Sequence, residues 1–188
     1  MARVPGPKLR RILDWVVTIG VALVFVLVFE SEVAKPYRIP SSSMEPTLHC
    51  AKPGDWCEGR FNDRVIANRL AYRFTNPHRG QIVVFDAPAD ACGIGGTFVK
   101  RLIGLPGDVV SETNGYVSIN GKPLHESYVD PKLRDSSTHT FPRVPPGHYF
   151  FMGDDRVHSC DSRMWGTVPR SSLIGPVLLT YWPPTSWF

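Results

Sequence analysis

Residues Ser111–Leu124 read SETNGYVSINGKPL, a four-residue β run bracketed by Asn114-Gly115 and Asn120-Gly121. Asn-Gly supplies the two positive-φ positions of a tight hairpin turn, so this stretch predicts two consecutive hairpins and an antiparallel sheet. Strands are also predicted on either side. GQIVVFDAP (Gly80–Pro88) is apolar and flanked by turn residues, and TFVKRLIGLPGDVV (Thr97–Val110) is a strand broken by a Leu-Pro-Gly-Asp turn. HYFFMGDDR (His148–Arg156) runs into an acidic turn, VLLTYWPP (Val177–Pro184) reads as a last strand, and DRVIANRLAY (Asp63–Tyr72) alternates well enough for another. Lys122 to Pro146 is polar and proline-spaced, a loop or small lobe. The expected fold is mostly β: an antiparallel sheet domain, partly barrel-like, over residues 30–188, with an inserted lobe at about 111–148.

The N-terminus has a different character. ILDWVVTIGVALVFVLVF (Ile12–Phe29) is apolar except for Asp14 and Thr18, and as a helix it reaches roughly 27 Å, close to a bilayer core. Residues 1–11 are basic and Glu30 and Glu32 follow the run, which places the N-terminus in the cytoplasm and the rest outside. Small residues at a cleavage site are missing: a cut after Ala34 would put Glu32 at minus three. The reading is an uncleaved single-pass anchor in the cell membrane, in contact with lipid.

Charge narrows the partners. The net charge is +4 over 188 residues, and Arg3, Lys8, Arg10 and Arg11 account for all of it before the first acidic residue, Asp14. The remaining body carries no net field for phosphate backbones, so no nucleic-acid partner is expected. A glycine-rich phosphate loop before a helix is missing as well. Cys50, Cys57, Cys92 and Cys160 suit an extracytoplasmic body that keeps disulfides; three pairings are open, with Cys50–Cys57 closing a short loop in one of them. No two cysteines have zinc-ligand spacing, so no metal is expected, and no cofactor.

The chemistry concentrates in IPSSSMEPTL (Ile39–Leu48), where prolines stiffen a run of serines. Acyl transfer by a serine needs a base. His158, beside Asp154 and Asp155, is one option, but no local pattern supports a Ser-His-Asp set. Lys100 is another, lying among apolar residues in a predicted strand. Only about one free lysine in a thousand is neutral near pH 7.4, so a lysine base needs roughly 3 to 4 kcal/mol of desolvation. Apolar neighbours such as Phe98, Val99, Met44 and Leu48 are suited to supply it.

IPSSSMEPTL, FVKRLIGLPGD (Phe98–Asp108) and MGDDRVHSCDSRMWGTVP (Met152–Pro169), in that order after an N-terminal anchor, resemble the successive boxes of bacterial type I signal peptidases, the Ser-Lys enzymes that release exported proteins. The resemblance implies that Ser43 is the nucleophile and Lys100 the general base. It implies an oxyanion hole from the Ser41 hydroxyl and the Ser43 backbone N–H, a supporting Ser159, and an Asp161–Arg163 ion pair as brace. It further implies pockets for a small residue before the cut, built from Ile39, Pro40, Met44, Leu48, Phe98 and Val99. The implied partners are signal peptides of exported preproteins and, indirectly, the export machinery. Asp155 stands where the family usually has asparagine, so it is expected to face away from the lysine or to pair with Arg156. Two other readings keep parts of this pattern, a Ser-Lys self-cleaving protein and a membrane-tethered β module that binds without chemistry.

Overall fold

The computed structural model describes residues 6–93 and 95–187. A 26-residue helix, α1 (Pro7–Glu32), leads into strand β1 (Ala34–Arg38). Then come β2 (Arg64–Asn68), a one-turn helix α2 (Ala71–Phe74), β3 (Ile82–Ala87) and β4 (Gly96–Gly104). Four short strands follow, β5 (Val110–Thr113), β6 (Tyr116–Ile119), β7 (Lys122–Pro123) and β8 (His139–Thr140). The chain closes with β9 (His148–Met152), a one-turn helix α3 (Ser162–Trp165), β10 (Val168–Pro169), β11 (Leu173–Trp182) and β12 (Pro184–Trp187).

The main sheet has the order β1-β2-β11-β3-β4-β9-β10, with β12 also pairing with β11, and every pairing is antiparallel. The barrel expectation needs correction: the sheet is open, ending at β1 and β10, and among the described residues no pairing joins those edges. The second sheet, β7-β6-β5-β8, is the expected hairpin unit. Asn114, Gly115, Asn120 and Gly121 all have positive φ, between 49° and 78°, the backbone that two-residue hairpin turns require.

The predicted strand Asp63–Tyr72 ends early, at Asn68. The Asn68 side chain accepts hydrogen bonds from the N–H groups of Leu70 (3.0 Å) and Ala71 (3.1 Å), so a side-chain turn competes successfully with continued pairing. Among the described residues, no helix is long and apolar enough to cross a membrane. The expected span Ile12–Phe29 ends in Val28 and Phe29, whose side chains lie outside the described residues.

Strand alternation sorts the apolar side chains of β3 and β4 onto two faces. Val84 and Val99 join Ile39, Met44, Leu48, Val65, Ala67 and Val177 in one cluster. Val83, Phe85, Phe98 and Leu102 join Phe151 and Val168 on the other. Lys100 pairs with Val83 in register, so it projects on the Phe98 and Leu102 face.

Candidate active site

Two stretches of irregular backbone meet β4: the turn Ser42–Met44, and the loop that follows β9. The pairing of Arg101 with Met152 brings β9 alongside β4, so one residue further on Lys100 lies beside Gly153. Gly153 is the junction of the site. A Cβ built on it would lie 2.2 Å from the Ser159 hydroxyl oxygen and 2.3 Å from the Ser43 carbonyl oxygen. Only the absent side chain lets these three segments approach so closely.

The serine turn is fastened to the loop at several points. The Asp155 N–H donates to the Ser43 carbonyl (3.3 Å), and the Thr47 hydroxyl donates to Asp154 Oδ2 (2.6 Å). On the far side, buried Glu45 accepts from the N–H groups of Cys50 and Glu58, both at 3.1 Å. Ser43 is buried, and its hydroxyl lies 3.4 Å from that of exposed Ser41.

Lys100 is 4 % exposed. Burial lowers its amine to about 8, against the carboxylates of Asp161, Asp154 and Asp155, which raise it; the Arg163 charge also lowers it. At that value roughly one amine in ten is neutral near pH 7, about three hundredfold more than for a free lysine.

Each of the three carboxylates already has a partner. Asp161 receives Arg163 Nε and Nη2, both at 2.9 Å, and the Gly153 N–H at 3.0 Å. Burial pushes its carboxyl up, but Arg163, the Gly153 N–H and the Lys100 charge outweigh that and hold it below the usual aspartate range. Asp154 receives Arg101 Nε at 2.8 Å and Nη2 at 2.6 Å. Asp155 lies 2.8 Å from His158 Nδ1 and accepts the His158 N–H at 3.0 Å. Of the two alternatives expected for Asp155, the pair with Arg156 does not form. Arg156 is engaged by both oxygens of Glu126 and donates from Nε to the Gly153 carbonyl (2.9 Å).

His158 is accordingly tied to Asp155 and stacked on Trp56, with ring centroids 4.1 Å apart. Cys160, in the same loop, is bonded to Cys92, and Cys50 to Cys57; of the three possible pairings this is the one the chain adopts. Ile39, Met44, Leu48 and Val99 come together in a single apolar cluster. Phe98 is elsewhere, on the Lys100 face of β4 with its ring 6.4 Å from that of Trp165. Pro40 is exposed.

Sequence reasoning passes over Thr47, Gly153, Arg101 and Glu126, which hold the site together. Gly153 carries a signal, a glycine at the end of an apolar strand. Glu126 carries none, because the partner through which it reaches the site, Arg156, is 30 residues away. Among the described residues, no group of three or more His, Cys, Asp or Glu side chains is placed to hold a metal ion.

Comparison with known proteins gives a consistent result. The family model described as "Signal peptidase, peptidase S26" matches residues 12–182. Signal peptidase I of Leptolyngbya laminosa is 37% identical over 179 residues, covering 92% of this chain and 80% of that protein. Probable signal peptidase I-2 of a Synechocystis strain is 39% identical over 169 residues, covering 88% and 71%. Signal peptidase I of Mycobacterium tuberculosis is 32% identical over 232 residues, covering 97% and 77%. A crystal structure of a signal peptidase I from Enterococcus faecalis, 32% identical, matches with a TM-score of 0.47 and covers 54% of this chain and 97% of that one.

Proposed function

The chain belongs to the signal peptidase, peptidase S26, family, a family of serine endopeptidases, and from that premise we propose that it removes signal peptides from exported preproteins with a Ser43–Lys100 dyad. The observation that carries the dyad is a lysine buried in the body, its amine lowered to about 8, beside a glycine that touches the Ser43 carbonyl.

In the proposed reaction neutral Lys100 takes the Ser43 hydroxyl proton as the oxygen attacks the carbonyl of the small residue at the cut. The Ser41 hydroxyl and the Ser43 N–H donate to the oxyanion that forms. When the C–N bond breaks, the Lys100 ammonium returns the proton to the departing amine. Water then attacks the acyl-enzyme ester, giving its proton to Lys100, and the broken ester bond takes a proton back at Ser43. The Ser159 hydroxyl, which makes no hydrogen bond in the structure, is assigned to receive the Lys100 amine during the reaction, and the Asp161–Arg163 pair keeps the loop in place. Ile39, Met44, Leu48 and Val99 give the apolar surface for the small side chain, with Pro40 at its exposed edge and Phe98 on the lysine's own face of β4.

The proposal includes a single membrane pass by α1, with the N-terminus cytoplasmic and the sheet domain outside. Its support is the run Ile12–Phe29 and the exposure, on every side of α1, of side chains such as Trp15, Val16, Ile19, Leu23 and Phe25. A helix apolar all round needs cover by protein or lipid.

The test is to incubate the full chain, in detergent or lipid, with a model preprotein and locate the cut by mass. Ser43→Ala and Lys100→Met are each expected to abolish processing while membrane insertion and the thermal melt persist. Normal cleavage by either variant defeats the dyad.

A further inference from the structure

The second sheet meets the loop after β9 around a cavity of about 370 Å³. Glu112, Ser137 and His139 wall it from the second-sheet side, and Ser159, Arg163 and Met164 from the loop. None of Ile39, Met44, Leu48 or Val99 lines it, so it is a compartment apart from the apolar cluster. Its volume suits one or two side chains.

Two oxygens in its wall are buried and without a hydrogen-bond partner, Glu112 Oε1 and the Ser159 hydroxyl. Glu112 is 2 % exposed. Its other oxygen accepts the Ser137 hydroxyl at 2.6 Å, while Oε1 has only Arg163 Nη1 at 3.7 Å, too far for a hydrogen bond. Arg163 is already committed to Asp161 and Asp135 (2.6 Å), and Arg156 to Glu126. Glu112 is therefore a buried carboxylate short of donors, and burial pushes its carboxyl up despite Ser137 and Arg163. Such a group is costly until a ligand supplies an N–H.

We propose that this cavity receives the first residues on the leaving side of the cut and selects a cationic side chain, lysine or arginine, among them. The inference rests on the peptidase reading of Ser43 and Lys100. With the apolar cluster taking the small residue before the cut, the departing segment must leave Ser43 in another direction. The Ser43 carbonyl and the Ser159 hydroxyl both come within 2.3 Å of one point at Gly153, so the cavity wall starts beside the nucleophile. An extended segment gains roughly 3.3 Å per residue, which brings its first to third residues into the cavity. There a lysine ammonium or arginine guanidinium gives Glu112 Oε1 its missing donor.

The experiment uses the full-length enzyme in detergent with three preproteins identical except for lysine, glutamine or glutamate at the second residue after the cut. The lysine substrate is expected to show a kcat/KM at least about tenfold above the glutamate one, the lower end of what a charge-assisted hydrogen bond is worth, with glutamine between. Glu112→Gln should bring lysine and glutamate to within about threefold of each other. His139→Lys, at an exposed position on the rim, tests the same idea without altering a buried residue, and it should also shrink the lysine advantage. Equal handling of lysine and glutamate by the unmodified enzyme, or an advantage unchanged in both variants, overturns the inference. If none of the three substrates is cut, the premise fails and the inference with it.

Discussion

Replacing Gly153 with alanine isolates the contact on which the site depends. Gly153 is not in the left-handed region, so alanine suits the backbone and any effect is steric. The new methyl would stand 2.3 Å from the Ser43 carbonyl oxygen, 2.2 Å from the Ser159 hydroxyl and 2.6 Å from Ser159 Cβ, where ordinary contacts begin at 3.4 Å. Something must move by about 1 Å. Gly153 cannot slide away freely, because its N–H donates to Asp161 and its carbonyl accepts from Arg156. The serine turn and Ser159 therefore have to retreat, and a displacement of about 1 Å in a reacting group can cost on the order of a hundredfold in rate. Overpacking should also lower stability by about 1–3 kcal/mol, at roughly 2–4 °C of melting temperature per kcal/mol for this size. A matched control separates the two effects. Gly175→Ala on β11 creates a clash of similar severity, 2.0 Å from the Asn68 carbonyl oxygen, but in the β2–β11 pairing. Preprotein cleavage at saturating substrate, with thermal melts of both variants, should show a comparable loss of stability but about a hundredfold loss of kcat only in Gly153→Ala. If that variant keeps kcat within about threefold, or if Gly175→Ala loses as much, the site is not held together at Gly153.

Cleavage by the unmodified enzyme should rise with pH through a midpoint near 8, where Lys100 loses its proton. The same lowered amine makes Lys100 a stability cost. Between about 8 and 10.5 the unfolded chain binds the proton and the folded one does not, so stability rises with pH across that window. Lys100→Met should accordingly be inactive yet more stable by up to about 3 kcal/mol at pH 7, an advantage that shrinks toward pH 10.5 in denaturant titrations; a constant gap would refute the burial argument. Glu126→Gln leaves the fully buried Arg156 guanidinium without its counter-charge and should cost about 3–5 kcal/mol in the same titrations. An unchanged midpoint would show that this pair does not join the segment between β7 and β8 to the loop after β9.

What the sequence discloses is local. Asn-Gly pairs determine their own backbone, so both hairpins of the second sheet can be placed from fourteen consecutive residues. The serine turn and Lys100 are visible because a splinted hydroxyl run and a cation inside an apolar strand are each unusual within a short window. The open sheet is not visible: β11 lies between β2 and β3, a placement decided by pairings such as Leu173 with Phe85 and Trp182 with Arg64, between segments distant in the chain. Asn68 shows a smaller failure of the same kind, since alternation continues past it in the sequence while its side chain turns the chain. Phe98 and Val99 show the cost of reading neighbours as partners. Adjacent strand residues face opposite ways, and these two belong to different clusters.

The aspartate at position 155 poses the sharpest electrostatic question, because a third carboxylate near Lys100 works against the neutral amine that the proposed mechanism needs. Three unpaired carboxylates in a dry site would keep Lys100 charged. The chain instead supplies a separate basic partner for each: Arg163 for Asp161, Arg101 for Asp154 and His158 for Asp155. Asp161 and Asp154, each with an arginine fixed against it, act on Lys100 mainly as dipoles, whose field falls off faster than that of a lone charge, so desolvation remains the leading influence on the amine. The arrangement also explains why Arg156 is no substitute for His158. Its guanidinium is committed to Glu126 and to the Gly153 carbonyl, and turning it toward Asp155 would break both contacts and leave buried Glu126 with Arg134 as its remaining cation. Of the acids that raise Lys100, Asp155 has the least effect, which is why a carboxylate can stand there and still leave the amine at about 8.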